Sequence, residues 1–328
     1  MRKLFLTLSI AVFALLCQHC TKDHVQPIPE PTAFQSAPFA SNLKAPIGIE
    51  ADDKGNIWVT EAGTGSNNKD ASVSMITPSG QKTVFVTGLL SETNQGSIEG
   101  ISKLLYRDGK LYFLHGISGL LYIADVSGFK SGDAPVSLAS IPSYDLKTFV
   151  ESKRLTDPVN SNGFELAFGP DNNLYIVDAG GNAIIKRDQT NGNLSVFATF
   201  PKTEAGDEAV PTGIVYDGSK FLVSTLTGFP FIPGAAKIFQ VTTSGVVSMY
   251  KGKFTTLAGI ALSANNKPIV VQHGAFGMGF TAGTGKVVDE NGNTLFDNLS
   301  QPTDIIRIGE KTYYVLSYKD GTISKLSY

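Results

Sequence analysis

Cysteine is nearly absent. Cys17 and Cys20 are the only two in 328 residues, so no disulfide can form within the chain that follows them. Histidine is almost as scarce: there are four, two of them (His19 and His24) near the N-terminus, too few for a histidine-based zinc site. Charge is thin as well, at 17 % of residues against a usual share of roughly 25 %. Twenty-seven basic and twenty-nine acidic residues leave a net charge of −2, which gives no electrostatic footprint for nucleic acid or an anionic membrane. The sequence has no Cys-x-x-Cys, His-Glu-x-x-His or Gly-x-Ser-x-Gly, and Gly63-Thr64-Gly65 and Gly277-Met278-Gly279 lack the strand-to-helix context of a phosphate cradle.

Long apolar runs are confined to one place. Arg2 and Lys3 precede thirteen residues, 4–16, with nothing more polar than Thr7 and Ser9. That is a secretory signal, too short to span a bilayer as a helix. Residues 1–19 therefore read as a signal peptide. Cys20-Thr21-Lys22-Asp23 resembles the start of a mature Gram-negative lipoprotein, with Cys20 the acylated residue and 20–31, carrying Pro27, Pro29 and Pro31, the tether. His19 stands where the signal peptidase prefers a small residue, so plain secretion is the alternative. Loss of Arg2 and Lys3 leaves a mature charge of −4. The expected location is the cell envelope, as a lipoprotein, or else the periplasm or exterior; the lipid anchor is the only membrane contact expected.

Glycine is abundant, thirty-four residues or about a tenth of the chain, and it falls in a repeating pattern. Short apolar strands recur at Ile57-Trp58-Val59, Leu111-Tyr112-Phe113, Leu174-Tyr175-Ile176, Phe221-Leu222-Val223, Ile269-Val270-Val271 and Tyr313-Tyr314-Val315. Taking Trp58, Tyr112, Tyr175, Leu222, Ile269 and Tyr314 as equivalents gives intervals of 54, 63, 47, 47 and 45 residues. Turn chemistry such as Asp52-Asp53-Lys54-Gly55 or Asp108-Gly109 stands before most of them. Six copies of a four-strand unit predict an all-β chain, a six-bladed β-propeller over 32–328. The last unit has three strands of its own, so residues 32–43 are expected to pair with it as the fourth and close the ring.

Register then places candidate residues. Three positions after each marker stand Glu61, His115, Asp178, Thr225, Gln272 and Ser317, all polar, at the end of an otherwise apolar strand. Glu61, His115 and Asp178 are expected to converge on one rim and suit ligand binding, cation binding or proton transfer. The loops expected on that face are long in units 1, 4 and 5 (62–71, 226–235 and 273–285), and an insertion at 140–161 enters there too. They carry Phe229 and Phe231 as further ligand-contact candidates, beside Phe276, Met278 and Phe280. A second ring, at the inner-strand starts, has Gly48, Gly100, Gly213 and Gly259 in four units but Glu165 and Asp304 in the others. With Glu99 and Asn162 nearby in sequence, these carboxylates and an amide oxygen are candidate Ca2+ ligands.

The blocks Leu174-Tyr175-Ile176-Val177-Asp178-Ala179-Gly180-Gly181-Asn182, Val210-Pro211-Thr212-Gly213 and Leu226-Thr227-Gly228-Phe229-Pro230-Phe231-Ile232-Pro233-Gly234 resemble the ScyD/ScyE family. The resemblance extends over essentially the whole propeller region. Founding members are encoded beside cyanobacterial genes for the sunscreen pigment scytonemin, and the family resembles NHL-type propellers. It implies fold and compartment. It carries no agreed catalytic residues to transfer, and the chain has Ser224-Thr225 where an acidic residue is common. The expectation is an exported monomer that binds a small molecule or protein partner on its long-loop face without established catalysis. The alternative is a metal-assisted hydrolase resembling the calcium-dependent six-bladed lactonases, with its carboxylates on the axis; a purely architectural envelope protein is a third.

Overall fold

The computed structural model describes residues 28–94 and 96–328; the signal peptide, Cys20 and most of the expected tether lie outside them. Six antiparallel sheets form the blades of a propeller. Blade 1 runs from its inner strand outward as Pro46–Ala51, Ile57–Glu61, Ser66–Ile76 and Lys82–Asn94, with a short fifth strand Ser97–Glu99. Blade 2 is Ile101–Arg107, Lys110–His115, Leu120–Asp125 and Ser143–Asp145; blade 3 is Gly163–Phe168, Leu174–Asp178, Ala183–Arg187 and Leu194–Thr199. Blade 4 is Pro211–Tyr216, Lys220–Thr225, Ala236–Thr242 and Val247–Phe254; blade 5 is Leu257–Leu262, Pro268–Gln272, Gly285–Asp289 and Thr294–Leu299.

Blade 6 closes the ring as the sequence predicts. Its strands Pro302–Gly309, Thr312–Ser317 and Thr322–Ser327 are completed by Gln35–Ala40 from the other end of the chain, paired from Gln35 with Ser327 to Ala40 with Ile323. Phe34, just before this strand, is buried against Tyr313 and Tyr328 with ring centroids 5.2 and 5.7 Å away.

The core lies between blades. One apolar cluster joins blades 1 and 2 through Trp58, Phe85, Leu104 and Phe113, and others join each later pair, ending with Ile49, Val59, Tyr314 and Leu316 between blades 6 and 1. A second strand flanked by a blade on either side has no wet face, which explains why these strands read as continuous apolar runs. The turns at the opposite end are held by aspartates: Asp52 accepts from the backbone N–H groups of Lys54 and Asn56, and Asp217 from those of Ser219 and Lys220.

Two loop expectations change. The 62–71 segment is mostly strand, because Ser66–Ile76 continues its pairing with Lys82–Asn94 through successive bulges. The 140–161 insertion supplies the three-residue outer strand of blade 2 and the helix Lys147–Ser152.

Candidate functional site

The six polar residues at the second-strand ends are structurally equivalent. Each is opposite the first residue of its own inner strand: Glu61 faces Pro46, His115 Ile101, Asp178 Gly163, Thr225 Pro211, Gln272 Leu257 and Ser317 Pro302. Every inner strand then bulges within the next residues, which turns the chain toward the axis.

Four of these side chains are engaged with the loops entering those strands, whereas Thr225 bonds the third strand of its own blade and His115 reaches the outer strand of blade 1. Glu61 accepts from the Lys44 N–H at 2.8 Å and from Ser74 Oγ, and it pairs with Lys82 at 2.6 Å. Asp178, 1 % exposed, accepts from Asn162 N–H (2.8 Å), Gly181 N–H (2.6 Å) and Ser161 Oγ (2.7 Å). Gln272 accepts from Thr255 N–H, and Ser317 donates to the Ser300 carbonyl. Thr225 bridges the backbone of Lys237, and His115 lies between Ser118 Oγ and the Leu90 carbonyl. Among the described residues no hydrogen bond or ion pair joins Glu61, His115 and Asp178 to one another; each holds its own separate set of partners. Burial pushes the His115 imidazole below its ordinary value and raises the Asp178 carboxyl, the latter against three or more donated hydrogen bonds.

The axial ring differs from its expected composition at one position. Gly48, Gly213 and Gly259 hold their places, and Glu165 and Asp304 hold theirs, but blade 2 contributes Lys103 in place of Gly100. Lys103 lies fully buried, its ammonium 2.8 Å from Glu165 Oε2 and 2.9 Å from Asp304 Oδ1, so one cation ties blades 2, 3 and 6 together. Asp304 also accepts from the backbone N–H groups of Ile49 and Ile305. The glycines make room: a Cβ on Gly48 would sit 2.7 Å from Lys103 Cα, and one on Gly259 would sit 2.9 Å from Asp304 Oδ1. Gly100 instead packs on the Leu90 carbonyl.

A signal for Lys103 was present in the sequence. In all six units the axial residue stands twelve or thirteen places ahead of the polar strand end, and Gly100 stands fifteen ahead of His115.

The four expected calcium ligands are thereby divided. Glu165 and Asp304 meet through Lys103, whereas Glu99 belongs to the small fifth strand of blade 1, opposite Glu92, and Asn162 sits at the entry to blade 3. Among the described residues no group of three or more His, Cys, Asp or Glu forms a metal-binding cluster. The electrostatics suit a lysine. Burial, then the Lys103 ammonium working against it and the Asp304 charge adding to it, leaves Glu165 at about 8, and burial raises Asp304 as well. For Lys103 burial pulls downward but the two carboxylates win, and its pKa stays above the ordinary lysine value. Glu50, two residues beyond Gly48 on the same inner strand, is also raised to about 8, chiefly by burial. The axis thus holds one permanent cation and more carboxyl groups than that cation neutralises.

The long-loop rim has a different chemistry. The loops of blades 4 and 5 lean together, with Phe231 against Phe276 at 4.8 Å and Phe280 at 5.1 Å between ring centroids, and Phe229 within 6.2 Å of Phe231. His273 backs the cluster edge-on to Phe280 at 4.5 Å and bonds to the Pro302 carbonyl; burial lowers its pKa to about 4, so it is neutral. At the tips Phe229 is 70 % exposed and Met278 fully exposed, while Ile232 is 39 % exposed. Thus the aromatics fold onto one another while leaving an apolar crest in water.

Comparison with known proteins supports the architecture. No family model and no curated protein matches the sequence. Among solved structures, virginiamycin B lyase from Staphylococcus aureus is similar at 17 % identity and a TM-score of 0.52, over 90 % of this chain and 99 % of that one. A candidate gluconolactonase is similar at 12 % identity and a TM-score of 0.57, over 92 % and 94 %. The aldose sugar dehydrogenase of Streptomyces coelicolor, solved with PQQ bound, is similar at 12 % identity and 0.55, over 91 % and 99 %. At these identities the likeness shows the fold: the chain is a six-bladed β-propeller.

Proposed function

We propose that the protein is an exported propeller of the ScyD/ScyE type, anchored in the cell envelope through Cys20, which binds an apolar ligand or partner at the rim of blades 4 and 5. The observation that carries this reading is the aromatic crest. Four phenylalanines from two glycine-rich loops pack together, yet Phe229, Ile232 and Met278 stay in water, an arrangement that costs free energy unless something covers it. Phe229 and Phe231 are the contact residues in this reading. Glu61, Asp178 and Gln272 act behind them, fixing the loop entries of their blades, while Thr225 and His115 tie strands and turns at the same level.

The alternative, a metal-assisted hydrolase or lactonase, draws on the company of lyases, lactonases and dehydrogenases that the fold keeps and on three axial carboxyl groups, Glu50, Glu165 and Asp304. It would require calcium to displace an ammonium already bonded to two of them. An unbiased metabolite capture tests the preferred reading. The wild type should retain a compound that the Phe229→Ala/Phe231→Ala variant does not; equal retention by both would refute it.

A further inference from the structure

Neither loop that carries the crest contains a charged residue. From 226 to 235 and from 273 to 284 there is no Asp, Glu, Lys or Arg, and the one histidine, His273, is held at the Pro302 carbonyl. The apolar side chains at the tips are also open to solvent, Phe229 at 70 % and Met278 fully, with Ile232 at 39 % in the same loop as Phe229. A small ligand is normally held in a concave pocket with a few convergent polar groups, and a protein interface carries a polar rim around its apolar centre. A bilayer interface asks for neither, since it takes up projecting apolar side chains without matching their shape. We propose that the partner covering the blade 4 and 5 crest is the interface of an uncharged lipid bilayer, into which Phe229, Ile232 and Met278 insert. This rests on the reading of that rim as the binding face.

The start of the described chain supplies an independent observation. The Ile28 carbonyl and the Glu30 carboxylate are bonded to Asn265, and Glu30 to Ser263 as well, in the turn at the opposite end of blade 5. The leading segment therefore joins the propeller on the same blade as the crest. Seven residues separate Cys20 from Ile28, eight chain steps with a reach of up to about 27 Å, and the five-residue strand Pro268–Gln272 is only about 17 Å long. An anchor at Cys20 leaves enough slack for blade 5 to lie edge-on to the membrane with the crest touching it. The charge pattern selects the lipid. Asp207 and Glu208 lie at the base of the blade 4 loop, against Gly228, and the mature chain carries −4, so anionic headgroups are not attracted.

The test is flotation of the Cys20→Ser protein with phosphatidylcholine vesicles, which removes any acyl chain and keeps every described residue. Vesicle binding is expected, unchanged between low and high salt. It should fall by about tenfold or more in Phe229→Ser/Met278→Ser and persist in Phe229→Leu/Met278→Leu, with unaltered melting curves for both. Absence of binding, binding that survives the serine changes, or binding confined to anionic vesicles and abolished by salt would overturn the proposal. If vesicles fail while a metabolite is still captured in a Phe229-dependent way, the lipid assignment falls and the binding rim stands; if both fail, the rim itself is misassigned.

Discussion

Lys103 illustrates how much one side chain can decide in a propeller. Among the described residues its ammonium is the only positive charge within hydrogen-bonding distance of Glu165 and Asp304, and it does structurally what a divalent cation could do on such an axis, joining carboxylates from separate blades. Removing one partner of a buried ion cluster leaves uncompensated charge, so Lys103→Met should lower stability by about 3–5 kcal/mol in urea unfolding. Adding Glu165→Gln and Asp304→Asn should recover much of that loss. Glu50 gives a pH signature. Its folded-state pKa, about 8, lies above its ordinary value of 4.5, so the folded protein holds a proton that the unfolded chain has released. Its contribution is therefore complete below pH 4.5 and disappears as pH rises through 8, at up to ~1.4 kcal/mol per pH unit. His273 acts in the opposite sense but only between about 4 and 6.5, where the unfolded chain binds the extra proton. Unfolding free energies measured from pH 6.5 to 8.5 should thus decline more steeply in the wild type than in Glu50→Gln.

At the scale of the element, the strand Gln35–Ala40 is the closure, and its contribution is set by what surrounds it. Phe34 and Leu43 are buried, Phe39 packs on Tyr314 at 4.4 Å, and without this strand Thr322–Ser327 would become a bare edge. Deleting residues 1–43 should lower the melting temperature by many degrees, whereas deleting 1–30 removes, among the described residues, the bonds of Ile28 and Glu30 to blade 5 and should change it little. The same elements show what a sequence discloses. Blade count and closure were readable because a strand buried on both faces must be apolar throughout, and six such runs return every 45 to 63 residues. The equivalence of Glu61 through Ser317 was readable for the same reason. What those side chains bond to was not, because their partners, such as Lys44, Asn162 and Thr255, belong to loops whose path no local pattern fixes. Lys103 was obscured by Gly100, a glycine three residues too early that serves a close approach to Leu90 instead.

In the proposed reading, the whole molecule separates rigidity from recognition. The axis and the wedges between blades are buried and bonded, while the blade 4 and 5 rim presents unsatisfied apolar surface, so changes at the two places should have opposite consequences. Attachment is a further property of the whole chain. If Cys20 is acylated, Cys20→Ser should shift most of the protein from the membrane fraction to the soluble one, since the anchor contributes far more membrane affinity than a few apolar tips; unchanged fractionation would favour plain secretion or an uncleaved anchor. The most direct test of the account is metabolite capture repeated on variants from both places. A compound retained by the wild type should be lost from Phe229→Ala/Phe231→Ala and still held by folded Glu165→Gln. Loss from Glu165→Gln with retention by the phenylalanine variant would contradict the account and move the site to the axis.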